Sequence, residues 1–377
     1  MVDVTGIEDI FRLRKLLAEP SDCLRDGGLV AFPTETVYGL GADALNETAA
    51  GRIYAAKGRP SDNPLIIHIA DTEAVDELAY SNEQAKMLAE AFWPGPLTII
   101  LPKKDIVPYQ TTGGLDTVAI RMPAHPAALE LIRQSGVYVA APSANISGRP
   151  SPTKAAHVVE DMSGRIGYIV DGGAVGIGIE STIVDLTSEV PAILRPGYIT
   201  QEMLEQIVGK VVLDPALENP KEGIRPKAPG MKYTHYAPRG ELTLVELSDD
   251  TRQRFYERHS RTDDGLSAKE AVVQALQQPV ILRICSLADE KRRAGYRVGI
   301  MASRETLPAY DGCADAVISV GDRSEFCTVA AGLYAALRDF DAAGVDYIYA
   351  ESFRDEGLGY AVMNRLLKAA GQRVIYV

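Results

Sequence analysis

The sequence predicts two α/β domains: a twisted, mixed sheet with flanking helices first, then a smaller Rossmann-like layered domain. Three observations carry this. The 377 residues exceed one typical domain. In residues 1–212, strand-length apolar runs and helical apolar spacings occur without strict alternation, which argues for a mixed sheet rather than a doubly wound parallel one. Residues 213–240 then hold five prolines, Pro215, Pro220, Pro226, Pro229 and Pro238, which remove backbone donors and fix φ. The expected organisation is a domain over 1–212, a linker over 213–240 and a second α/β domain over 241–377.

Taken in order, apolar residues at helical spacing predict helices over 7–18, 46–56, 73–80, 82–92, 125–135, 153–160 and 200–208. Short β-branched and aliphatic runs predict strands over 28–32, 65–69, 97–101, 117–121, 137–141, 167–170, 181–186 and 191–195. The second half alternates more regularly. Strands are expected at 241–246, 279–284, 297–301, 315–319, 345–349 and 373–377, and helices at 250–260, 267–276, 326–342 and 358–369. No GxGxxG follows its first strand, and no internal repeat is visible.

Charge and cysteine content narrow the function classes. The chain carries 39 Lys+Arg against 51 Asp+Glu, a net charge of −12, a poor basis for strong nonspecific nucleic-acid binding. The linker alone is slightly basic, with five basic against three acidic residues. Cys23, Cys285, Cys313 and Cys327 show no CxxC spacing, so neither a disulfide framework nor a zinc site is expected, in keeping with a reducing cytoplasm. The N-terminus lacks the apolar core of a signal peptide. LTIIL at 97–101 is far shorter than the roughly 20 residues that span a bilayer, so no membrane association is expected.

Polar residues gather in the loops of the first domain: FPTETVYGLG at 32–41, KGRPSDNPLIIH at 57–68, RMP at 121–123, APSANISGRPSP at 141–152, GIEST at 178–182 and LRPG at 194–197. Most lie at strand ends, where α/β proteins place ligands. Lys57 and Arg59 flank a glycine, and an extended turn can aim both at one anion; alone, the segment reads as well as a solvated basic loop. Removing either charge from such a loop is expected to leave no core cavity. His68 lies inside an apolar strand and must find partners or face a cavity. Ser143 follows an apolar strand among small residues that let backbone N–H groups approach a phosphate, though an ordinary Ser/Asn turn looks the same. Arg121 and Arg195 end apolar strands, as anion-clamping arginines do. No GxSxG, HExxH or Walker A pattern occurs. Cationic and hydroxyl groups without a covalent nucleophile suit electrostatic catalysis at phosphorus.

In their order, FPTETVYGLGADA, KGRPSDNPLIIHI, WPGPLTIIL, TVAIRMPAHP, APSANISGRPSPT, GIESTIVDL and ILRPG closely resemble the YrdC-like threonylcarbamoyl-adenylate synthases, from about residue 7 to 212. The linker PGMKYTHYAP and GLGYAVMNRLLKAAG resemble the long, two-domain form. The resemblance implies a YrdC-like fold and a nucleotidyltransferase that joins L-threonine, bicarbonate or CO₂, and ATP into L-threonylcarbamoyl-AMP, releasing pyrophosphate. Partner proteins would then transfer the threonylcarbamoyl group to the adenosine beside the anticodon of tRNA. It also implies roles. Lys57 and Arg59 would be catalytic. Arg59, Asn63, Thr117, Ser143, Asn145, Ser151, Arg195 and Tyr236 would frame ATP. Thr36, His68, Arg121, Ala141 and Ser181 would frame threonine. Mg²⁺ would accompany the triphosphate, with no protein metal site expected.

Two other readings compete: an RNA-binding module of translation, with weak RNA binding, and a carbamoyl-transfer protein of the hydrogenase-maturation type. The net charge of −12 and the lack of RNP-type aromatics count against the first, and the absence of CxxC against the second. Residues 225–238, with Lys232, Tyr233, His235 and Tyr236, are expected to fold over the first domain's pocket as a lid that shields a hydrolysable mixed anhydride from water.

Overall fold

In the computed structural model the chain divides into two compact units, Met1–Tyr233 and Thr234–Val377. The structure describes residues 1–217, 228–229, 235–248, 250–251, 266–353 and 356–377, without the side chains of 266–277. No described helix is long and apolar enough to cross a membrane.

The first unit holds strands β1 (Val2–Asp3), β2 (Val30–Phe32), β3 (Gly39–Asp43), β4 (Ile66–His68), β5 (Leu97–Pro102), β6 (Thr117–Arg121), β7 (Val139–Ala140), β8 (Tyr168–Asp171), β9 (Thr182–Asp185), β10 (Ala192–Arg195) and β11 (Val212–Leu213). They form one sheet in the order β1-β8-β2-β3-β7-β4-β6-β5-β9-β10-β11. Parallel pairs such as β4–β6 and β5–β9 mix with antiparallel pairs such as β2–β3, β5–β6 and β9–β10. The expected mixed sheet is therefore the observed one. Its helices are α1 (Ile10–Arg25), α2 (Glu47–Lys57), α3 (Ala74–Leu78), α4 (Glu83–Phe92), α5 (Tyr109–Thr112), α6 (Pro126–Ser135), α7 (Ala155–Met162) and α8 (Gln201–Val208). Capping sets several ends: Asn46 and Asn82 accept from Ala49 N and Ala85 N, and Gly58 ends α2 in the left-handed region at φ 62°.

Side chains alternate across a strand, so the sheet has two differently covered faces. On one, Ile67, Ile99, Ile120 and Val184 pack with Ile53 of α2, Leu88 of α4, Val158 of α7 and Leu204 of α8 in the largest core. On the other, α1 and α6 cover β2, β7 and β8 through Leu13, Leu17, Leu131 and Phe32. Between β4 and β10 that second face carries a smaller cluster of Ile66, Ile100, Ala119, Ile183 and Leu194, with Ala228 of the linker fully buried against it.

Three features depart from the expected elements. The first helix runs 10–25, through Pro20, because Leu13, Leu17 and Leu24 bury one continuous stripe. β3 occupies part of what reads as a polar loop. A Cβ at Gly41 would sit 2.7 Å from the Val139 side chain and 2.9 Å from that of Phe32, so glycine there reflects close packing rather than a turn. β1, α5 and β11 are short and carry no periodic signal.

The second unit holds a five-stranded, all-parallel sheet in the order β14-β13-β15-β12-β16: β12 (Glu241–Glu246), β13 (Val298–Ala302), β14 (Ala316–Ser319), β15 (Tyr347–Glu351) and β16 (Val374–Tyr376). Its helices are α9 (Leu266–Arg293), α10 (Phe326–Ala343) and α11 (Leu358–Ala369). The strand expected at 279–284 is instead part of α9. Val280, Ile281, Ile284, Leu287 and Ala288 recur at helical spacing and are buried, and that stripe outweighs the local β-branched run and Pro279. Most of the helix expected at 250–260 lies outside the described residues.

Candidate functional site

The register of the first sheet assembles the candidate site. β4 and β6 run parallel with His68 opposite Arg121, so the two side chains leave neighbouring strands on one face. Ile66 and Ala119 share that face two residues earlier, and Thr98 and Ile183 pair on it in β5 and β9. Polar groups thus ring the apolar strip of Ile66, Ala119 and Ile183.

Arg121 is 4% exposed, and its donors are distributed. Nη2 donates to Glu35 Oε1 at 2.6 Å, Nη1 to Thr36 Oγ1 at 3.0 Å and Nε to the Gly95 carbonyl at 3.2 Å. The loop before β3 is a hydroxyl-stabilised turn. Thr34 Oγ1 donates to the Val37 carbonyl at 2.6 Å and accepts from the Thr36 and Val37 amides. Thr36 Oγ1 lies 2.9 Å from Thr34 Oγ1. Thr34 therefore builds the turn, and Thr36 meets Arg121. His68 is buried, with Nδ1 3.2 Å from the Ile66 carbonyl and its ring edge-on to Phe32. Burial first, and the Arg121 charge second, hold its pKa down at about 3, so the imidazole is neutral at ordinary pH.

Beside this group, Ser181 Oγ contacts Thr98 Oγ1 at 2.8 Å and accepts from Arg195 Nη2 at 3.1 Å, while Arg195 Nε donates to the Ser181 carbonyl at 3.0 Å. Arg195 Nη1 also reaches the Pro229 carbonyl at 3.5 Å. Ser151, fully buried, donates to Glu180 Oε1 at 2.6 Å. Ala141 donates its amide to the Ile66 carbonyl at 2.8 Å.

Lys57 is not on an exposed loop. It is the last residue of α2, 2% exposed, and its ammonium donates to the Ser143 and Asn145 carbonyls, each at 2.5 Å. The expectation that its removal spares the fold is corrected accordingly: a buried charge here braces the 143–145 loop. Ser143 Oγ donates to Asn145 Oδ1 at 2.6 Å, and Asn145 Nδ2 to the Ile146 and Arg149 carbonyls. Arg59 follows the Gly58 cap, half-buried, and donates to the Asn63 and Pro64 carbonyls. Asn63 is 1% exposed and its Oδ1 has no hydrogen-bond partner, an acceptor held out of water at the foot of this loop. Thr117 begins β6, at the opposite end from Arg121 and opposite Pro102.

Of the residues expected to frame ATP or threonine, Tyr236 alone belongs to the second unit, as does His235 of the expected lid. Tyr236 is buried at φ 68°, with its ring 5.1 Å from Tyr334 and 5.5 Å from His235. Lys232 and Tyr233 lie outside the described residues. Sequence reasoning missed Glu35, Thr98 and Glu180. Their signal was adjacency, since each stands inside or beside a motif whose other members were read. Among the described residues, no group of three or more His, Cys, Asp or Glu is placed to hold a metal ion.

Comparison with known proteins adds independent findings. A family model described as telomere recombination, covering the Sua5, YciO and YrdC proteins, matches residues 22–197. A second, described as threonylcarbamoyl-AMP synthase, C-terminal domain, matches residues 199–371. The chain is 49% identical to a threonylcarbamoyl-AMP synthase of Bacillus subtilis over 99% of this chain and 98% of the relative. It is 49% identical to that of Pyrococcus abyssi over 94% of each. The crystal structure of P. abyssi Sua5 complexed with L-threonine superposes with a TM-score of 0.84 at 46% identity, covering 100% of this chain and 99% of that one.

Proposed function

Since the chain belongs to the threonylcarbamoyl-AMP synthase family, in its two-domain form, we propose how its first unit performs that synthesis. The protein is a nucleotidyltransferase of tRNA modification that converts L-threonine, bicarbonate or CO₂, and ATP to L-threonylcarbamoyl-AMP and pyrophosphate. Identity to such synthases over nearly the whole chain favours this over an RNA-binding module or a hydrogenase-maturation carbamoyl transferase.

The observation that carries the site assignment is the pairing of His68 with Arg121 across β4 and β6, with Thr36 and Ser181 on adjoining elements. A guanidinium has five N–H donors; three of Arg121's are engaged, leaving two for a carboxylate. In this reading Arg121 takes the threonine carboxylate. Thr36, Ser181 and neutral His68 meet its hydroxyl and amine, and Ala141 closes the pocket floor. The threonine amine combines with CO₂ to a carbamate, and a carbamate oxygen attacks the α-phosphorus of ATP as pyrophosphate leaves. The nucleophile belongs to the substrate, so the protein supplies position and charge. Lys57, at the end of α2 with its ammonium against the 143–145 loop, and Arg59 offset the negative charge of carbamate and phosphates. Asn63, Thr117, Ser143, Asn145, Ser151 and Arg195 form the nucleotide side. Mg²⁺ would accompany the triphosphate and offset part of its charge; among the described residues no acidic cluster is placed to hold it apart from the nucleotide.

The lid reading of 225–238 draws support from Ala228, buried on the apolar strip, and from Pro229, whose carbonyl meets Arg195. Residues 225–227 and 230–234 lie outside the described residues. Transfer of the product to tRNA by partner proteins, and a cytoplasmic location, complete the proposal.

Pyrophosphate release tests it. Release is expected only when ATP, threonine and bicarbonate are all present. Release from ATP and bicarbonate at an undiminished rate without threonine would refute the reading.

A further inference from the structure

Two of the four cysteines meet in the second unit. Cys285 lies on α9 and Cys313 in the turn after the 3₁₀ segment Leu307–Tyr310, and their sulfurs are 2.6 Å apart across 28 residues of chain. That is about half an ångström beyond a disulfide bond of about 2.05 Å. The approach is held from both sides. Arg292, two helical turns along α9 from Cys285, donates to the Gly312 carbonyl at 3.0 Å, and Cys313 N donates to the Tyr310 carbonyl at 3.0 Å. Both thiols are half-buried at the edge of the core formed by Ile281, Ile284, Ala288 and Tyr310, so a small reagent can reach them while the backbone stays fixed. Nothing in the synthase chemistry uses them.

We propose that Cys285 and Cys313 form a redox modification site, closed to an intramolecular disulfide by exchange with a low-molecular-weight disulfide such as oxidised glutathione. Burial, then the hydrogen bond to Cys313, push the Cys285 thiol up, so exchange begins at Cys313. The Cys313 thiolate attacks one glutathione sulfur, forming a mixed disulfide and releasing a glutathione thiolate that takes up a proton. Cys285 then gives its proton to solvent, its thiolate attacks Cys313 Sγ, and the second glutathione leaves. Two protein thiols are oxidised by two electrons while one glutathione disulfide is reduced to two thiols. The bond ties α9 to the segment carrying Ser303, Thr306 and Tyr310. Tyr310 and Ser303 in turn hold the buried Glu351, to which Arg323 also pairs at 2.6 Å. Oxidation therefore stiffens the carboxyl end of the parallel sheet.

The test uses the full-length protein, reduced, desalted and incubated with oxidised glutathione, then denatured, alkylated with N-ethylmaleimide and digested with trypsin. The expected product is a peptide of residues 284–291 linked to one of residues 305–323, with maleimide absent from Cys285 and Cys313; Cys23 and Cys327 are read on their own peptides. Dithiothreitol restores both alkylation sites. In Cys285→Ser the link disappears and Cys313 carries one glutathione. Maleimide on both cysteines after oxidation, or separate glutathione adducts on both without a link, would overturn the proposal.

Discussion

Glu35 Oε1 accepts a hydrogen bond from Arg121 Nη2 at 2.6 Å, while Glu35 Oε2 accepts from the Ala124 amide at 3.0 Å. The carboxylate thus bridges the guanidinium to the chain just beyond it and fixes the plane in which its remaining donors point. If Arg121 takes the threonine carboxylate as proposed, Glu35 is a positioning residue that acts on threonine through Arg121. Losing a charge-assisted bond of about 1.5–3 kcal/mol should raise the KM for threonine roughly tenfold to a hundredfold in Glu35→Ala. kcat should change little, and Glu35→Gln should recover part of the loss. Steady-state kinetics with threonine varied measures this; unchanged KM in Glu35→Ala would detach Glu35 from the site.

Thr34 and Thr36 are two residues apart and do different work. Thr34→Val removes the hub of the 34–37 turn and leaves the buried Thr36 and Val37 amides short of a partner, which costs about 1–3 kcal/mol. Urea denaturation should show that loss. Thr36→Val instead removes a hydroxyl at the Arg121 end. A site that hydrogen-bonds a hydroxyl rejects a substrate lacking it by roughly 10⁴–10⁵. The wild type should therefore discriminate strongly against valine in pyrophosphate release, and Thr36→Val should narrow that gap. Equal use of the two amino acids by the wild type would mean the pocket does not read the hydroxyl.

His68 sets a stability dependence on pH. Its folded pKa, at about 3, lies below the unfolded value of about 6.5. Between those values the unfolded chain binds the proton and the folded one does not, so stability falls as pH drops below about 6.5. Linkage gives a loss of about 2 kcal/mol by pH 5 from this residue. Burial lowers His125 too, against the opposing charge of Glu35, so part of the acid sensitivity belongs there. Denaturation midpoints between pH 7 and pH 5 should fall less steeply in His68→Gln than in the wild type. Parallel slopes would show that His68 is not held neutral.

Lys57→Ala and Arg59→Ala should separate. Removing Lys57 strips two carbonyls of a buried donor, at about 1–3 kcal/mol each, so this variant should melt lower as well as lose activity. Arg59 is half-buried and donates to the nearby Asn63 and Pro64 carbonyls rather than bracing a distant loop through a buried charge, so Arg59→Ala should keep its melting temperature and lose about 10²–10³ in rate. Thermal denaturation beside pyrophosphate assays distinguishes them; an Arg59→Ala protein at full rate would remove that residue from the site.

Much of this was legible in the sequence. The loop motifs stand at the strand ends where they were expected, because apolar strands such as LIIHI and TVAIR mark their own limits. What stayed hidden was whatever depends on contact across the sheet. Gly39 and Gly41 look like turn residues, and only their packing against Phe32, Ala141 and Val139 makes β3 a strand. Lys57 looks solvated because its neighbours Gly58 and Pro60 suggest a loop, whereas the helix capped by Asn46 runs to it and buries it. The run VILRI favours a strand locally, and the stripe that keeps it helical shows only with Leu287 and Ala288 beyond it. Glu35 was masked by the threonines on either side.

The assignment of Arg121 to threonine and Arg59 to ATP is tested most directly by calorimetric titration of each substrate into two variants. Arg121→Ala should lose threonine binding and keep ATP binding within about threefold, and Arg59→Ala should do the reverse, each losing at least about tenfold in its own substrate. Loss of ATP binding in Arg121→Ala with threonine binding intact, or the same crossing in Arg59→Ala, would contradict the account.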